Sequence, residues 1–232
     1  MTLEGRRYIV TGAAGAVGRV VARHLLAIGA EPLLVDVSTT ALKQVAESLP
    51  RAAYRPCDLC DIGATEAMVD WATGSGAPVD GLIQISGGFQ FLPVLDTTVD
   101  DYNRLFDINM RTLYNSCKAI LPHFTTRGSG TIIGIAAAPA IERGRAGMAL
   151  YSAAKAAVAT FLQGLAAEQA QTGIHVSVVY PMNAIDTPAN REAMPNEDPN
   201  SWIAPEALAK TIEFALTPLM GGRLVELPVY PE

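Results

Sequence analysis

Short β-rich runs alternate with helical stretches along almost the whole chain of 232 residues. Apolar runs bounded by turn residues predict buried strands, and a stretch of helical periodicity follows nearly every one. Alternation of this kind favours a parallel, doubly wound sheet, because right-handed crossovers return the chain over both faces. The sequence therefore predicts one α/β domain over residues 1–232, with about seven strands and helices on both faces.

The rhythm locates the elements approximately. The predicted strands are Arg7–Thr11, Pro32–Val37, Ala53–Cys57, Gly81–Ile85, Thr131–Ile135, Ile174–Tyr180 and Gly222–Leu227. The predicted helices are Ala16–Ile28, one that follows Thr39, Ile62–Thr73, Thr98–Leu121 and Ala149–Gln171. Pro122 and the loop Thr125–Gly130 are expected to break the long fourth helix.

One stretch departs from this rhythm. Around residues 183–204 the chain is polar, rich in proline and without periodicity. A segment of this length is too long for a simple connection, so we predict a mobile, lid-like insertion over a site. A surface excursion without a role is the alternative.

Composition excludes several classes of function. The chain has 17 Lys and Arg against 23 Asp and Glu, for a formal net charge of −6. This balance argues against nucleic acid or an anionic membrane surface as the main partner. The sequence shows no signal segment and no apolar run long enough to span a bilayer, so a soluble, cytoplasmic protein is expected.

Cysteine usage raises the question of a metal or redox site. Cys57 and Cys60 match the C-x-x-C spacing, which is found in zinc and redox motifs. There is no second cysteine pair and no nearby histidine to complete a metal shell. We therefore interpret these thiols as structural and expect no metal site.

A glycine-rich turn, TGAAGAVGR over residues 11–19, joins the first predicted strand to the first helix. Its first glycine allows a tight turn, the second lets the backbone approach a ligand, and the third permits close helix–strand packing. Backbone N–H groups at a helix N-terminus bind a pyrophosphate in Rossmann-type folds. The predicted pyrophosphate-binding residues are Gly12, Gly15, Ala16, Val17 and Gly18.

Asp36 ends the second predicted strand. At this distance from a glycine-rich turn, a carboxylate accepts hydrogen bonds from an adenosine ribose diol and repels a 2′-phosphate. No arginine follows at positions 37–39. NAD(H) is therefore favoured over NADP(H), with a turn or helix-capping role for Asp36 as the alternative.

Tyr151 and Lys155 stand four residues apart, so they share one face of a predicted helix. An adjacent ammonium favours the phenolate and is expected to lower the pKa of the phenol from its usual value of about 10. The pair is therefore a candidate for acid–base catalysis, although such pairs also occur on many solvated helices. The preceding run Ile135–Pro139 offers no hydroxyl group to assist it.

These features, together with Asn109 and the segment from Pro181 to Thr187, occur in an order that resembles the short-chain dehydrogenase/reductase family over essentially the whole length. The resemblance implies an NAD(P)-dependent oxidoreductase that transfers hydride to or from a small organic substrate, with Tyr151 as acid/base. It implies that Lys155 also holds the nicotinamide ribose and that Asn109 supports a water chain. The further cofactor residues it implies are Asp58 and Leu59 at the adenine, Ser86, Gly87 and Gly88 after the fourth strand, and Thr187 at the carboxamide.

The chain also departs from the family pattern. The family's catalytic serine falls on Ala138, and its Asn-Asn-Ala-Gly run is replaced by residues 84–87. The missing serine, the Gly-Gly-Phe turn at 87–89 and the stretch 186–202 resemble the quinonoid dihydropteridine reductase-like branch. A pteridine-like or conjugated heterocycle is thus the first expected substrate and a carbonyl the second, with Phe89 and Trp202 as candidate aromatic walls.

Two alternatives remain open at this point. A catalytically inactive dinucleotide-binding sensor or scaffold would explain the lost serine. A sugar-nucleotide epimerase is disfavoured, since such relatives carry a larger C-terminal domain. The resemblance and the alanine-rich helix at 149–171 together predict a homodimer or homotetramer.

Overall fold

The computed structural model describes residues 3–50, 52–74, 76–142, 144–217 and 222–232. Within these ranges seven parallel strands form one sheet in the order β3-β2-β1-β4-β5-β6-β7. The strands are β1 (Arg7–Thr11), β2 (Glu31–Asp36), β3 (Ala53–Pro56), β4 (Gly81–Gln84), β5 (Gly130–Ile135), β6 (Ile174–Pro181) and β7 (Glu226–Val229). The predicted doubly wound sheet is confirmed.

The strands are joined by α1 (Ala16–Ala27), α2 (Thr39–Ser48), α3 (Ile62–Thr73), α4 (Val99–Phe106), α5 (Thr112–Arg127), α6 (Ala138–Ile141), α7 (Ala149–Glu168), α8 (Pro188–Ala193) and α9 (Pro205–Leu216). A π-helical turn at Asp107–Arg111 joins α4 to α5, and short 3-10 turns lie at Val94–Asp96 and Pro199–Ser201. Across the described part of the chain, every helix is too short or too polar to cross a membrane.

Side chains that alternate along each strand build two cores, one on each face of the sheet. Ile9, Leu82 and Ile132 pack on one face against α3, α5 and α7. Val10 and Ile83, each next in the chain to one of these, pack on the other face against α1, α2 and α9. Both faces of the central strands are therefore covered, as the apolar runs predict.

The structure corrects several element boundaries. The fourth predicted helix does not stop at Pro122, because α5 continues to Arg127 and ends at Gly128, which adopts the left-handed conformation with φ 65°. Strand β7 pairs with β6 only from Glu226 onward, so the predicted run Gly222–Leu227 begins too early. Helix α7 ends at Glu168, before the predicted Gln171.

Three helices lie where the sequence analysis predicts none, and one of them, α8, belongs to the insertion at 183–204. Helix α6 is a single short turn that starts at Ala138. Helix α9 has clear sequence signals, since Pro205 occupies its first position and Leu208, Ile212 and Leu216 recur every four residues on its buried face.

The insertion at 183–204 has more structure than its composition suggests. It contains α8 and a 3-10 turn, and an isolated bridge pairs Ile185 with Ile203. The Asn183 amide donates to the Ser201 carbonyl at 2.8 Å, and the Asn190 amide donates to the Ile185 carbonyl at 2.8 Å. These contacts join the beginning of the insertion both to its end and to α8.

Candidate active site

The glycine-rich turn lies at the carboxyl edge of the sheet and is closely packed. Gly12 has φ +63°, and a Cβ added there would lie 2.9 Å from the Ser86 nitrogen. A Cβ on Gly18 would lie only 2.1 Å from the Gly12 carbonyl oxygen. At both positions a side chain would force the backbone apart, so the first and third glycines are required for the turn as it stands.

The N-terminus of α1 offers unsatisfied donors at this turn. Its N-cap residue, Gly15, supplies no side-chain hydrogen bond, and the first turn of the helix carries no acidic residue. Gly15 and Ala16 are exposed. The free N–H groups and the positive end of the helix dipole therefore fit the pyrophosphate of a dinucleotide.

Asp36 binds backbone groups on two sides. One carboxylate oxygen accepts from Ala14 N at 3.0 Å, and the other accepts from Ser38 N at 3.0 Å. The expected turn role is therefore present in the structure. An ionised carboxylate has about four lone-pair sites, so these two bonds leave it able to accept from a sugar hydroxyl as well.

Thr11 ties the ends of β1 and β4 together, a role that the sequence analysis did not assign. Its hydroxyl oxygen accepts from Ile85 N and Ser86 N, both at 3.1 Å. A threonine before the first glycine is the available sequence signal. This contact fixes the point at which the loop of Ser86, Gly87 and Gly88 leaves β4.

Gly87 and Gly88 contact two of the predicted catalytic residues. The Asn109 side chain donates to the Gly88 carbonyl at 3.0 Å and accepts from Gly88 N at 3.3 Å. A Cβ added to Gly87 would lie 2.7 Å from Asn109 Oδ1 and 3.3 Å from Lys155 Nζ. The loop after β4, the π-helical turn and α7 therefore meet at the Gly87 backbone.

Asn109 is 2% exposed and lies in the middle of the π-helical turn. Its amide also donates to the Leu105 carbonyl at 2.9 Å, which satisfies an acceptor that the irregular turn leaves free. Single π-helical turns within α-helices are frequent at functional sites. In this structure the Asn109 side chain is committed to the protein backbone.

Lys155 and Tyr151 lie on one face of α7, as their spacing predicts. Lys155 is 7% exposed and its ammonium donates to the Ile135 carbonyl, the last of β5, at 2.9 Å. Burial lowers the pKa of Lys155 to about 8. Burial raises the pKa of Tyr151 to about 12. The expected lowering of the Tyr151 pKa by Lys155 is wrong for this structure, because desolvation dominates.

An aromatic ring packs on Tyr151, and buried alanines occupy the run in which the family carries its serine. The Phe89 ring packs edge-to-face on the Tyr151 ring, with centroids 5.0 Å apart and an angle of 83° between the planes. Ala136, Ala137 and Ala138 are all buried at the start of α6. The position of the family's serine therefore presents a methyl group.

The remaining predicted residues are held by separate turns. Asp58 is exposed and accepts from Cys60 N at 2.9 Å, while Leu59 is buried. Thr187 caps α8 by accepting from Asn190 N at 3.2 Å. The contacts of the described residues thus join Gly87, Gly88, Asn109 and Lys155 directly, and leave Asp58 and Thr187 in their own segments.

Asn115 is a site residue that the sequence analysis missed. It is 5% exposed on α5 and its amide donates to the carbonyls of Leu59, at 2.8 Å, and Cys60, at 3.1 Å. A polar side chain on the buried face of an amphipathic helix was the available signal. Through it α5 fixes the loop after β3.

The cysteines do not form a bridge or a metal cluster in the structure. All three are free thiols, and burial raises the pKa of Cys57 and Cys60. Within the described ranges, no three or more His, Cys, Asp or Glu side chains are arranged to hold a metal ion.

An all-parallel, doubly wound sheet with a glycine turn between β1 and α1 defines a Rossmann-type oxidoreductase architecture. The family model for short chain dehydrogenases matches residues 6–198. The chain belongs to this family.

Relatives of known sequence match over nearly the whole chain. A 4-formylbenzenesulfonate dehydrogenase of Comamonas testosteroni is 29% identical, over 92% of this chain and 91% of its own. An uncharacterized oxidoreductase of Staphylococcus haemolyticus is 29% identical, over 99% of this chain and 98% of its own.

Solved structures agree in fold. A 3-ketoacyl-(acyl-carrier-protein) reductase from Brucella melitensis, complexed with NADH, is 25% identical with a TM-score of 0.87 and covers 98% of both chains. A levodione reductase is 25% identical with a TM-score of 0.88, over 98% of this chain and 96% of its own.

These findings make the protein an NAD(P)-dependent oxidoreductase that acts on a small-molecule substrate with a nicotinamide dinucleotide cofactor. They do not favour the alternative of an inactive sensor or scaffold.

Proposed function

We propose that the protein transfers hydride between NAD(H) and a small conjugated substrate, with Tyr151 as the acid/base group. The observation that carries the proposal is the meeting of Lys155 Nζ and Asn109 Oδ1 at the backbone of Gly87, on the same helix face as Tyr151. The place that a side chain would take at Gly87 and Gly88 is filled by Asn109, Lys155 and Ile108, so the two glycines let these side chains pack closely against the loop after β4.

The cofactor is assigned to the carboxyl edge of the sheet. The N-terminus of α1 would bind the pyrophosphate, and the remaining lone pairs of Asp36 would accept from the ribose diol, which favours NAD(H) over NADP(H). The other proposed contacts are Asp58 and Leu59 at the adenine, Ser86, Gly87 and Gly88 along the dinucleotide, and Thr187 at the carboxamide. A bound nicotinamide supplies or accepts the hydride.

In the proposed reduction Tyr151 supplies the proton. With a pKa raised to about 12, the phenol carries its proton at neutral pH and can donate it to a reduced substrate. Lys155 is held one helical turn away by the Ile135 carbonyl, where its ammonium can bind a ribose hydroxyl. Asn109 positions the Gly87–Gly88 backbone against both.

The buried alanines direct the choice of substrate. Loss of one preorganised donor costs about 3 kcal/mol of transition-state stabilisation where a carbonyl oxygen needs it. A conjugated ring spreads the developing charge over its own heteroatoms, and it can stack beside the Phe89 ring. We therefore place the protein near the dihydropteridine reductase-like branch, with a pteridine-like or similar heterocycle as substrate.

An aldehyde or ketone is the second candidate substrate. The name of the Comamonas relative refers to a formyl group on a benzene ring, which is a conjugated carbonyl. Such a substrate would also pack against Phe89. The segment 183–204 would then cover either substrate as a lid, since α8 and Trp202 lie within it.

A homodimer or homotetramer is proposed from one face of α7. Ala149 and Ala153 are exposed one turn apart on this helix. Between them Ser152 is 6% exposed and its hydroxyl has no hydrogen-bond partner. A second copy packed on this face would bury the alanines, whereas the Ser152 hydroxyl is already enclosed within one subunit. The three unpaired cysteines support a reducing, cytoplasmic location.

Turnover assays test the proposed function. NADH oxidation is followed with quinonoid dihydropterin and with a panel of aldehydes and ketones, for the wild type and for Tyr151→Phe, with NADPH in parallel. We expect Tyr151→Phe to lower the turnover number about 100-fold or more, because general acid catalysis contributes at least that much, while NADH binding is retained. Tyr102→Phe, a change at an exposed tyrosine of α4, is the matched control. Equal rates for the wild type and Tyr151→Phe would refute the role of the tyrosine.

A further inference from the structure

A cavity lies at the opposite edge of the sheet from the glycine-rich turn. Its volume is about 180 Å³, and it is lined by residues at the beginnings of four strands and by the end of α9. Arg6 precedes β1, Asp80 precedes β4, Gly130 begins β5 and His175 lies at the start of β6. None of the residues assigned to the dinucleotide contributes to it. We refer to it as the amino-edge cavity.

The amino-edge cavity is basic in an acidic protein. Arg6, Arg127 and Arg223 line it, and Asp80 is its only carboxylate among the described residues. Its formal charge is therefore +2 with His175 neutral, whereas the chain as a whole carries −6. Such a local excess of positive charge attracts an anion.

The single carboxylate is already paired. Asp80 accepts from Arg7 N at 2.9 Å through one oxygen. Its other oxygen accepts from Arg127 Nη2 at 3.1 Å and lies 3.9 Å from Arg6 Nη1. Asp80 thus orients the arginines at the cavity floor and offers little repulsion to a ligand.

Backbone carbonyls hold two of the guanidinium groups in place. Arg127 Nη1 donates to the Val79 carbonyl at 2.5 Å, and Arg223 Nη1 donates to the Ala166 carbonyl at 3.2 Å. A guanidinium has five N–H donors in a planar fork, so both retain donors beyond these bonds. Ser129 and Thr131 add hydroxyl groups to the lining. The donor-bearing residues of the lining thus come from α5, β5 and the loop before β7, and two of the guanidinium groups are already fixed by backbone contacts.

We propose that the amino-edge cavity binds a small multivalent oxyanion of the phosphate class. Liquid water takes about 30 Å³ per molecule, so the cavity has room for roughly six waters or for one inorganic phosphate or pyrophosphate. A dinucleotide is too large. Arginine forks match the oxygen spacing of phosphate in two-bond contacts, and an ion bound between three arginines joins β1, α5 and the loop before β7. Its binding stabilises the folded chain and does not compete with the cofactor, which lies at the other edge.

Thermal unfolding at constant ionic strength tests the site, using protein saturated with NADH so that the cofactor turn is filled. Sodium phosphate or pyrophosphate is titrated against sodium chloride. We expect the midpoint temperature of the wild type to rise with anion concentration and then to level off. Arg23→Gln, a control at an exposed arginine of α1, should behave in the same way. Arg223→Gln should raise the apparent Kd at least tenfold, since a charge-assisted hydrogen bond is lost. The apparent Kd of Arg223→Lys should lie between those of the wild type and Arg223→Gln.

Three results would overturn the proposal. A rise without saturation that is equal in all variants is the general effect of an excluded anion on the protein surface. A rise that is present only without NADH places the anion at the glycine-rich turn. If Arg223→Gln unfolds at low temperature, calorimetric titration of Arg223→Lys with pyrophosphate replaces it, and a Kd equal to that of the wild type refutes the site.

Discussion

Burial sets the protonation of both members of the Tyr151–Lys155 pair. It keeps the phenol protonated, with a pKa of about 12, and it works against the ammonium, whose pKa falls to about 8. Before any ligand arrives the phenol therefore holds its proton more tightly than an exposed tyrosine does. Of the two side chains, Lys155 is the one that lowers the free energy of unfolding. At neutral pH its charge is held in the core, where it donates to the Ile135 carbonyl.

This cost gives a prediction at Lys155. In the unfolded chain the lysine has its ordinary pKa of 10.5, so between pH 8 and 10.5 the unfolded state binds more protons and the free energy of unfolding rises with pH. Below pH 8 the buried ammonium costs about 3 kcal/mol. We expect Lys155→Met to raise the free energy of unfolding at pH 7, to abolish this rise and to lower turnover. Urea unfolding at pH 7, 8, 9 and 10 measures it.

The control for this prediction is Lys118→Met, a change at an exposed lysine of α5. Burial raises the pKa of Cys57, Cys60 and Cys117 above the usual 9.0 and that of Tyr8, Tyr151 and Tyr180 to about 12, so the contribution of these groups to the free energy of unfolding falls above about pH 9. That fall is common to all three proteins and cancels in the comparison. A rise between pH 8 and 10 that persists in Lys155→Met would contradict the assignment.

At the scale of elements, α6 decides what the site lacks. This short helix begins at Ala138, whose side chain is 2% exposed, and supplies no hydroxyl group beside Tyr151. Ala138→Ser restores the family's donor at this position. We expect turnover of simple ketones to rise about 100-fold, because a preorganised donor then meets the carbonyl oxygen. Turnover of a conjugated heterocycle should change less than threefold.

Ala137→Ser serves as the comparison, since it places a hydroxyl one residue earlier, at the N-cap of α6. Initial rates on both substrate classes are measured for the two variants. An equal rise on both substrates, or the same rise in both variants, would show that the alanine does not determine substrate choice.

Elements with local signals were predictable, and those that depend on distant contacts were not. Strands β1 to β6 begin and end within one residue of their predicted bounds, because turn residues delimit each of them and all except the exposed β3 are largely buried apolar runs. Pro122 misled the prediction of α5, since a proline ends a helix only when its missing N–H and its ring cannot be accommodated. Strand β7 is set by pairing with β6, which the sequence does not display.

The same distinction holds within the site. The glycine-rich turn and Asp36 meet through Ala14, and both lie in one strand–helix–strand unit, so their proximity follows from spacing. The pKa of Tyr151 follows from burial by elements far along the chain, among them the loop that carries Phe89. No local pattern contains that information. The amide of Asn115, which reaches back to the loop after β3, escaped prediction for the same reason.

At the scale of the whole molecule, the two edges of the sheet differ in chemistry. Helix N-termini and the loops of the proposed cofactor site gather at the carboxyl edge. Helix C-termini gather at the amino edge, where Arg127 is the last residue of α5 and its guanidinium donates to a backbone carbonyl. The direction of the strands therefore imposes an electrostatic difference between the two edges, which the residue composition alone does not reveal.

Assembly is the property to test at this scale. Ala153→Glu places a charge in the middle of the exposed alanine face of α7. We expect the oligomer to dissociate to monomers at micromolar concentration, because a carboxylate would be buried without a partner. Thr40→Glu, at an exposed position of α2, carries the same charge and should leave assembly unchanged. Analytical ultracentrifugation measures the mass of both variants in solution. A mass for Ala153→Glu equal to that of the wild-type oligomer would exclude this face as the interface.

The hydrogen bond from Arg7 N to Asp80 spans 73 residues and joins the start of β1 to the start of β4. Strand β1 therefore keeps one unpaired edge throughout the synthesis of β2 and β3, until β4 leaves the ribosome. A nascent chain of this protein exposes one edge of β1 for that interval, so folding in the cell depends on protection of that edge from neighbouring chains.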